Sequence, residues 1–261
     1  MDRQSLHQTF DKLLDTIATI REKCPWDAAQ TPETIRTLSI EEVYELSQAI
    51  LKGDAADFKK ELGDVLLHIV LYSMMADERR QFNLEDVMKA LYDKLVFRHP
   101  HIFGNYKADT PEEVSKMWEM VKLKEKGGNK TVLSGIPESL PSIIKAYRLT
   151  DKASGVGFDW DNREDVWNKV AEEMNEFNAE IKNHDQDKAE GEFGDLLFAM
   201  INAARLYDIN PDTALERTNR KFTFRFNYIE QKAKEQGRGL KDMTLAEMDA
   251  LWNEAKKLEK K

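Results

Sequence analysis

Hydrophobic residues recur along almost the whole chain at steps of three and four, and strict alternation of apolar and polar residues is almost absent. This spacing is typical of amphipathic helices. It is clearest over residues 58–69, 170–181 and 193–201. Helix starts are indicated where a side-chain cap precedes a proline, at Thr31-Pro32, Thr110-Pro111 and Asn210-Pro211. Thr110 with Glu113, and Thr244 with Glu247, have the spacing of capping boxes. The pattern predicts an all-α protein.

The helical pattern is interrupted near the middle of the chain. Residues 122–130 are charged, contain two glycines and lack an apolar face, and the prolines at 137 and 141 discourage a continuous helix. We therefore predict two similar helical domains, residues 1–125 and 136–261, joined by a linker at 126–135.

The two halves share a pattern of acidic residues. In the first half, Glu-Glu-x-x-Glu at 41–45 precedes Glu-x-x-Asp at 61–64, and the second half repeats both motifs at 172–176 and 192–195. One offset of 131 residues relates all five acidic positions, and it also relates Gly63 to Gly194 and Leu66 to Leu197. An ancient internal duplication explains this agreement.

The spacing of these acids places them on shared helix faces, because residues three and four apart lie on one side of a helix. Turn residues at 51–54 and 183–185 lie between the motifs, so each half predicts a helical hairpin with two facing acidic sides. Gathered carboxylates repel unless cations or protons compensate them. Oxygen ligands favour Mg²⁺ or Mn²⁺ before zinc. The alternative is a solvated acidic surface without a metal.

Each Glu-x-x-Asp motif also contains a mid-helix glycine, Gly63 or Gly194. Such a glycine costs about 1 kcal/mol relative to alanine. Close approach of two helices around an ion would explain both glycines, and the alternative is that both are tolerated defects.

Composition narrows the function classes. The formal net charge of −9 disfavours a nucleic-acid polymer as partner. The single cysteine, Cys24, excludes an internal disulfide and a cysteine-based zinc cluster. The longest apolar stretch, residues 65–76, is too short to span a membrane. The first ten residues lack the apolar segment of a signal peptide, so we expect a cytoplasmic protein without a membrane partner.

The two acidic motifs resemble those of the MazG family of nucleoside triphosphate pyrophosphohydrolases, in its long form with tandem domains. Further matches run through nearly the whole chain: Cys24-Pro25-Trp26-Asp27, Arg98-His99-Pro100-His101-Ile102-Phe103, Val156-Gly157-Phe158-Asp159-Trp160 and Lys221-Phe222-Thr223-Phe224-Arg225. The resemblance implies a helical bundle that forms a homodimer. It also implies magnesium-dependent hydrolysis of nucleoside triphosphates to the monophosphate and pyrophosphate.

The resemblance also assigns residue roles by position. It makes Glu173, Glu176, Glu192 and Asp195 the metal ligands of the second half, and it gives Glu172 a supporting role or that of proton acceptor for the attacking water. A second candidate metal site in the first half consists of the equivalent acids Glu42, Glu45, Glu61 and Asp64.

Cations point to the second half as the catalytic one, since a triphosphate needs positive charge. Lys169 and Lys188 precede its acidic motifs, whereas the first half has Leu38 and Asp57 at those positions. The predicted catalytic residues are Glu172, Glu173 and Lys188. The predicted substrate-binding residues are Lys169, Lys188, Lys221, Arg225 and Trp252. Trp252 and, with less support, Trp160 are candidates for stacking on a base.

Three functions stay open at this point. The first is a pyrophosphohydrolase of broad specificity that removes damaged or non-standard nucleotides. The second is an enzyme specific for one deoxynucleotide, such as dUTP or dCTP. The third is a helical interaction protein whose acidic hairpins hold a metal or bind a basic partner.

Overall fold

The computed structural model describes residues 2–124 and 131–259, and within these the regular elements are all helical. Contacts divide the chain into two compact units, residues 1–106 and 107–261. The predicted all-α class is confirmed. Residues 126–130 of the predicted linker lie outside the described residues, so the linker stays a prediction.

The first unit is organised around a long helical hairpin, α3 and α4. Its helices are α1 (Arg3–Lys23), α2 (Pro25–Ala28), α3 (Pro32–Lys52), α4 (Ala55–Glu78), α5 (Leu84–Arg98) and α6 (Pro100–Phe103). The helices α1 and α4 are in contact, and the core lies between α1, α3 and α4, at Ile17, Ile35, Val70, Leu71 and Met75. This core fixes the hairpin that carries the first acidic cluster.

The second unit is built around an equivalent hairpin, α9 and α10. Its helices are α7 (Pro111–Lys124), α8 (Ser142–Ser154), α9 (Val166–Asn183), α10 (Gln186–Leu206), α11 (Pro211–Glu235) and α12 (Leu245–Leu258). Short 3₁₀ turns occur at Arg163–Asp165 and Leu240–Asp242. The helix α8 packs on both α10 and α11, and α12 packs on α11. The contact between α9 and α10 confirms the hairpin that was predicted for the second half.

Local sequence signals explain where these helices begin and end. Thr31 and Asn210 cap the helices that start at the following prolines, as predicted. The predicted capping box of Thr244 and Glu247 is present. Both hairpin turns use a left-handed residue, Gly53 with a φ of 71° and His184 with a φ of 57°. No helix of the described residues combines the length and apolar character that crossing a membrane requires.

The close-approach explanation of the mid-helix glycines is wrong for this structure. A β-carbon built on Gly63 or on Gly194 meets no atom within 4 Å outside the helix itself. Neither glycine therefore marks a tight helix–helix contact among the described residues.

Candidate metal centre

Three carboxylates of the second unit converge between α9 and α10. Glu173 and Glu176 lie one turn apart on α9, and Glu192 projects from the facing side of α10. Each contributes an oxygen, and these oxygens all lie within 4.8 Å of one another. Glu173 is buried, with 6% of its surface exposed. We call these three residues the second-half cluster.

The fourth predicted ligand, Asp195, lies one turn beyond Glu192 on α10 and outside the group of three. It lines the same cavity wall as Glu173. The structure thus brings three of the four predicted ligands together and places the fourth beside them.

Lys169 supplies the positive charge next to this cluster. Its ammonium nitrogen lies 2.7 Å from Glu173 Oε1 and 2.9 Å from Glu172 Oε1. The hydrogen bond to Glu173, and to a lesser extent the one to Glu172, raises the pKa of Lys169, so this lysine stays protonated. A buried carboxylate without such a partner is strongly disfavoured. Lys169 thus provides the buried Glu173 with a charged hydrogen-bond partner.

The neighbouring carboxylates of the cluster affect the pKa of Glu176. Partial desolvation of this exposed side chain, followed by the charges of Glu173 and Glu192, raises the pKa of Glu176. Partial protonation or a bound cation relieves this repulsion.

The donor set of the second-half cluster fits a hard divalent cation. All its donor atoms are carboxylate oxygens, the ligands that Mg²⁺ prefers. The three oxygens lie within 4.8 Å of one another, so Glu173, Glu176 and Glu192 would hold a single cation between them.

A largely apolar cavity of about 750 Å³ adjoins this cluster. Its apolar lining includes Leu149, Ala153, Phe158, Trp160, Val166 and Phe198. Asp159, Lys169, Glu173 and Asp195 add charged groups to the lining, and Asn202 adds an amide. The volume and the mainly apolar lining suit a small organic group.

The loop that carries Phe158 and Trp160 is fixed by a contact that the sequence did not predict. Asp159 accepts hydrogen bonds from Arg205 at 2.5 and 3.1 Å and from the Ser154 hydroxyl at 2.6 Å. Despite its burial, the bonds from Arg205 and Ser154 lower the pKa of Asp159. The motif at residues 156–160 drew attention to this loop, but the sequence did not show which residue pairs with Asp159.

The other predicted substrate-binding residues lie elsewhere in the unit. Lys188 is exposed and pairs with Asp185, the cap of α10, at 3.1 Å. Arg225 makes a bidentate pair with Glu259, at 2.7 and 3.1 Å, and lies over the Trp252 ring. Lys221 contributes to the field at Glu259. None of these four is among the residues that line the cavity.

The first unit has an equivalent cluster with a different lysine. Glu42, Glu45 and Glu61 each contribute an oxygen, and these lie within 4.8 Å of one another. Lys60 lies 2.9 Å from Glu61 and 3.8 Å from Asp64. We call Glu42, Glu45 and Glu61 the first-half cluster.

Lys60 weakens the prediction that lysines near the acidic motifs distinguish the second half from the first. The comparison of equivalent positions missed it, because its counterpart in the second half is Gly191 and carries no side chain. Both clusters therefore have a lysine, but only Lys169 lines the cavity.

Comparisons with known proteins match both halves. The model of the MazG nucleotide pyrophosphohydrolase domain matches residues 30–103 and again 162–229. The chain is 40% identical over 250 residues to the nucleoside triphosphate pyrophosphohydrolase/pyrophosphatase MazG of Thermotoga maritima, covering 95% of each protein. It is 37% identical over 257 residues to the nucleoside triphosphate pyrophosphohydrolase of Escherichia coli K12, covering 96% of this chain and 98% of that one. It is also 42% identical over 264 residues to the uncharacterized protein YabN of Bacillus subtilis, of which the match covers 54%.

Proposed function

The chain belongs to the MazG nucleotide pyrophosphohydrolase family, and we propose on that premise that it hydrolyses nucleoside triphosphates to the monophosphate and pyrophosphate. The observation that carries the proposal is the second-half cluster together with the 750 Å³ cavity, which Glu173 of that cluster lines. A triphosphate needs both features, since its phosphates require cations and its base requires an apolar surface.

The metal is proposed to be Mg²⁺, with Mn²⁺ as a substitute, held by Glu173, Glu176, Glu192 and Asp195. The donor atoms are oxygens only, which supports a hard cation. The chemistry that Mg²⁺ supplies when bound is neutralisation of phosphate charge and polarisation of the phosphorus–oxygen bonds.

Glu172 is proposed as the acceptor of the proton from the attacking water. Its side chain is half exposed, and Lys169 already orients one of its oxygens at 2.9 Å. A carboxylate held in this way keeps its second oxygen available for water. Glu173 contacts the same lysine at 2.7 Å.

The phosphates are proposed to bind to Lys169 from the cavity side and to Lys188, Lys221 and Arg225. Lys188 and Arg225 are paired with Asp185 and Glu259, so each exchanges a carboxylate for a phosphate when it binds substrate. A carboxylate and a phosphate both present anionic oxygens that accept charge-assisted hydrogen bonds.

The base is proposed to occupy the cavity, with Trp160 as a stacking surface and Trp252 as a second candidate. Stacking tolerates every base, since each has an aromatic face. The mainly apolar lining supports broad specificity and a role in removing damaged or non-standard nucleotides.

The active form is proposed to be a cytoplasmic homodimer. Phe222 and Phe226 are 57% and 38% exposed on one side of α11, and Phe224 is 46% exposed on another side of the same helix. Exposed aromatic side chains of this kind support contact with another chain.

A product assay on a panel of triphosphates tests the function. The panel includes the four ribonucleotides, the four common deoxynucleotides and dUTP, each with Mg²⁺, Mn²⁺ or a chelator. We expect equal amounts of monophosphate and pyrophosphate from several substrates, with no turnover in the chelator. Turnover of dUTP or dCTP alone supports the specific enzyme, and no turnover of any substrate supports the non-enzymatic alternative.

A further inference from the structure

One polar residue of α10, Asn202, lies in the mainly apolar wall of the cavity. It follows Asp195, another lining residue, by seven positions. The two side chains therefore lie on one face of the helix, about 10 Å apart along its axis. With the phosphates at the metal ligand Asp195, this distance leaves room for the ribose and places the base beside Asn202.

A neighbouring arginine fixes the orientation of the Asn202 amide. Arg205 Nε donates a hydrogen bond to Asn202 Oδ1 at 3.0 Å. Since an arginine carries donors only, the atom that faces it must be the amide oxygen and not the nitrogen. Arg205 is itself held by its two hydrogen bonds to Asp159, and its side chain is only 11% exposed. The amide nitrogen of Asn202 therefore points away from Arg205.

This amide nitrogen is a neutral hydrogen-bond donor without an acceptor. Among the described residues it donates no hydrogen bond. Other polar groups of the lining are already engaged. The Thr150 hydroxyl donates to the backbone of its own helix, and Lys169 is paired with two carboxylates. Asn202 can therefore donate to a ligand in the cavity without breaking a contact.

The first half has apolar residues at both equivalent positions. The offset of 131 residues relates Asn202 to Leu71 and Arg205 to Met74. Leu71 belongs to the apolar core of the first unit, and Met74 packs against that core. Polar groups cost free energy where apolar side chains can fill the same position. The shared hairpin therefore does not require this polar pair, which belongs to the second unit alone.

We propose that Asn202 is a specificity-determining residue, which donates a hydrogen bond to a carbonyl oxygen on the edge of the base. The inference rests on the proposed function and deepens it by naming a preferred substrate class. A carbonyl oxygen accepts from the amide, whereas an exocyclic amino group places donor against donor. Hypoxanthine and uracil carry a carbonyl where adenine and cytosine carry an amino group. Nucleotides with deaminated bases are therefore preferred over their parents.

Two pairs of triphosphates that differ by this replacement test the proposal, ITP against ATP and UTP against CTP. Pyrophosphate release with Mg²⁺ gives kcat/KM, and titration calorimetry with Ca²⁺ in place of Mg²⁺ gives Kd. We expect the carbonyl member of at least one pair to be preferred about 3- to 10-fold, as one neutral hydrogen bond provides.

The two measurements separate this inference from the proposed function. Hydrolysis with equal kcat/KM within both pairs overturns the inference and leaves the proposed function standing. Preferential binding of ITP or UTP without hydrolysis supports the inference and contradicts the proposed function. Neither binding nor hydrolysis of any of the four overturns both.

Asn202→Asp isolates the donor. The aspartate keeps an oxygen for Arg205 but turns an acceptor towards the base, so the preference should reverse in favour of the amino member of the pair. Asn168→Asp adds the same charge at an exposed asparagine next to Lys169 in the sequence. It should change the ratio of the two kcat/KM values less than about twofold. A preference that persists in Asn202→Asp overturns the proposal, since another donor such as the Trp160 indole would cause it.

Substrate analogues cover the case in which Asn202→Asp fails to fold. Purine riboside triphosphate has a hydrogen in place of the carbonyl oxygen of ITP, and the corresponding analogue of UTP lacks its carbonyl oxygen opposite the sugar. With the unaltered protein, removal of the oxygen from the preferred nucleotide should lower kcat/KM about 3- to 10-fold. An analogue that is hydrolysed as efficiently as its carbonyl counterpart overturns the proposal.

Discussion

Lys169 is the residue on which the electrostatics of the second-half cluster depend most directly. It contacts Glu172 and Glu173 together and also lines the cavity. Lys60 contacts the first-half cluster but belongs to a different position of the repeat. The two lysines therefore make similar ion pairs with different access to a substrate.

Replacement of Lys169 by methionine should lower kcat/KM for a nucleoside triphosphate about 10- to 100-fold. This range corresponds to the roughly 1.5–3 kcal/mol that a hydrogen bond to a charged group contributes. Steady-state pyrophosphate release measures it. Lys60→Met is the matched control, and it should leave kcat/KM within about twofold. A larger effect of Lys60→Met than of Lys169→Met would contradict the assignment of Lys169.

Local features stabilise the helices of the second unit as well as packing does. The capping box at the start of α12 is one example: Glu247 accepts hydrogen bonds from the Thr244 backbone and hydroxyl and from Arg238. Hydrogen bonds from Arg238 and then from Thr244 lower the pKa of Glu247 from 4.5 to about 2.

This pKa shift predicts how stability depends on pH. The folded-state pKa lies below the unfolded one, so the stabilising contribution of Glu247 is complete above about pH 4.5. It disappears as the pH falls towards 2. The difference in melting temperature between the wild type and Glu247→Gln should therefore shrink between these pH values. A difference that stays constant across this range would contradict the assigned contact.

The mid-helix glycines offer a second test of how single helices are stabilised. Because a β-carbon at Gly63 or Gly194 meets no neighbouring atom, Gly63→Ala and Gly194→Ala should each raise the free energy of unfolding by about 0.5–1 kcal/mol. Gly53→Ala is the contrasting control, since its φ of 71° disfavours a β-carbon, and it should destabilise. Urea denaturation measures all three. Destabilisation by Gly194→Ala would instead show that another chain or ligand approaches this surface.

At the scale of the whole molecule, the sequence predicted what local spacing determines. The hairpins, the proline-preceded helix starts and the convergence of Glu173, Glu176 and Glu192 follow from helical periodicity and a repeated motif. The pairing of Asp159 with Arg205 joins residues 46 apart, and no local pattern encodes such a contact.

The sequence also failed where a conclusion depended on side-chain rotamers or on tertiary distances. Lys60 reaches the first-half cluster from a position that the repeat does not conserve. The contact with Arg205 that orients the Asn202 amide became visible only with the side-chain contacts in hand. The close approach expected at the glycines was wrong because helix spacing is set by packing along the whole hairpin.

The central claim is that hydrolysis takes place at the second-half cluster, and one matched pair of substitutions tests it most directly. Glu173→Gln and Glu42→Gln make the same change at equivalent positions of the repeat. Pyrophosphate release from one triphosphate with Mg²⁺ is measured for each, with circular dichroism as the folding control. We expect Glu173→Gln to lower turnover more than about 100-fold. Removal of a residue that only supports a metal ligand costs less, about 10- to 100-fold. Glu42→Gln should reduce turnover only modestly. Equal losses, or a greater loss from Glu42→Gln, would contradict the account.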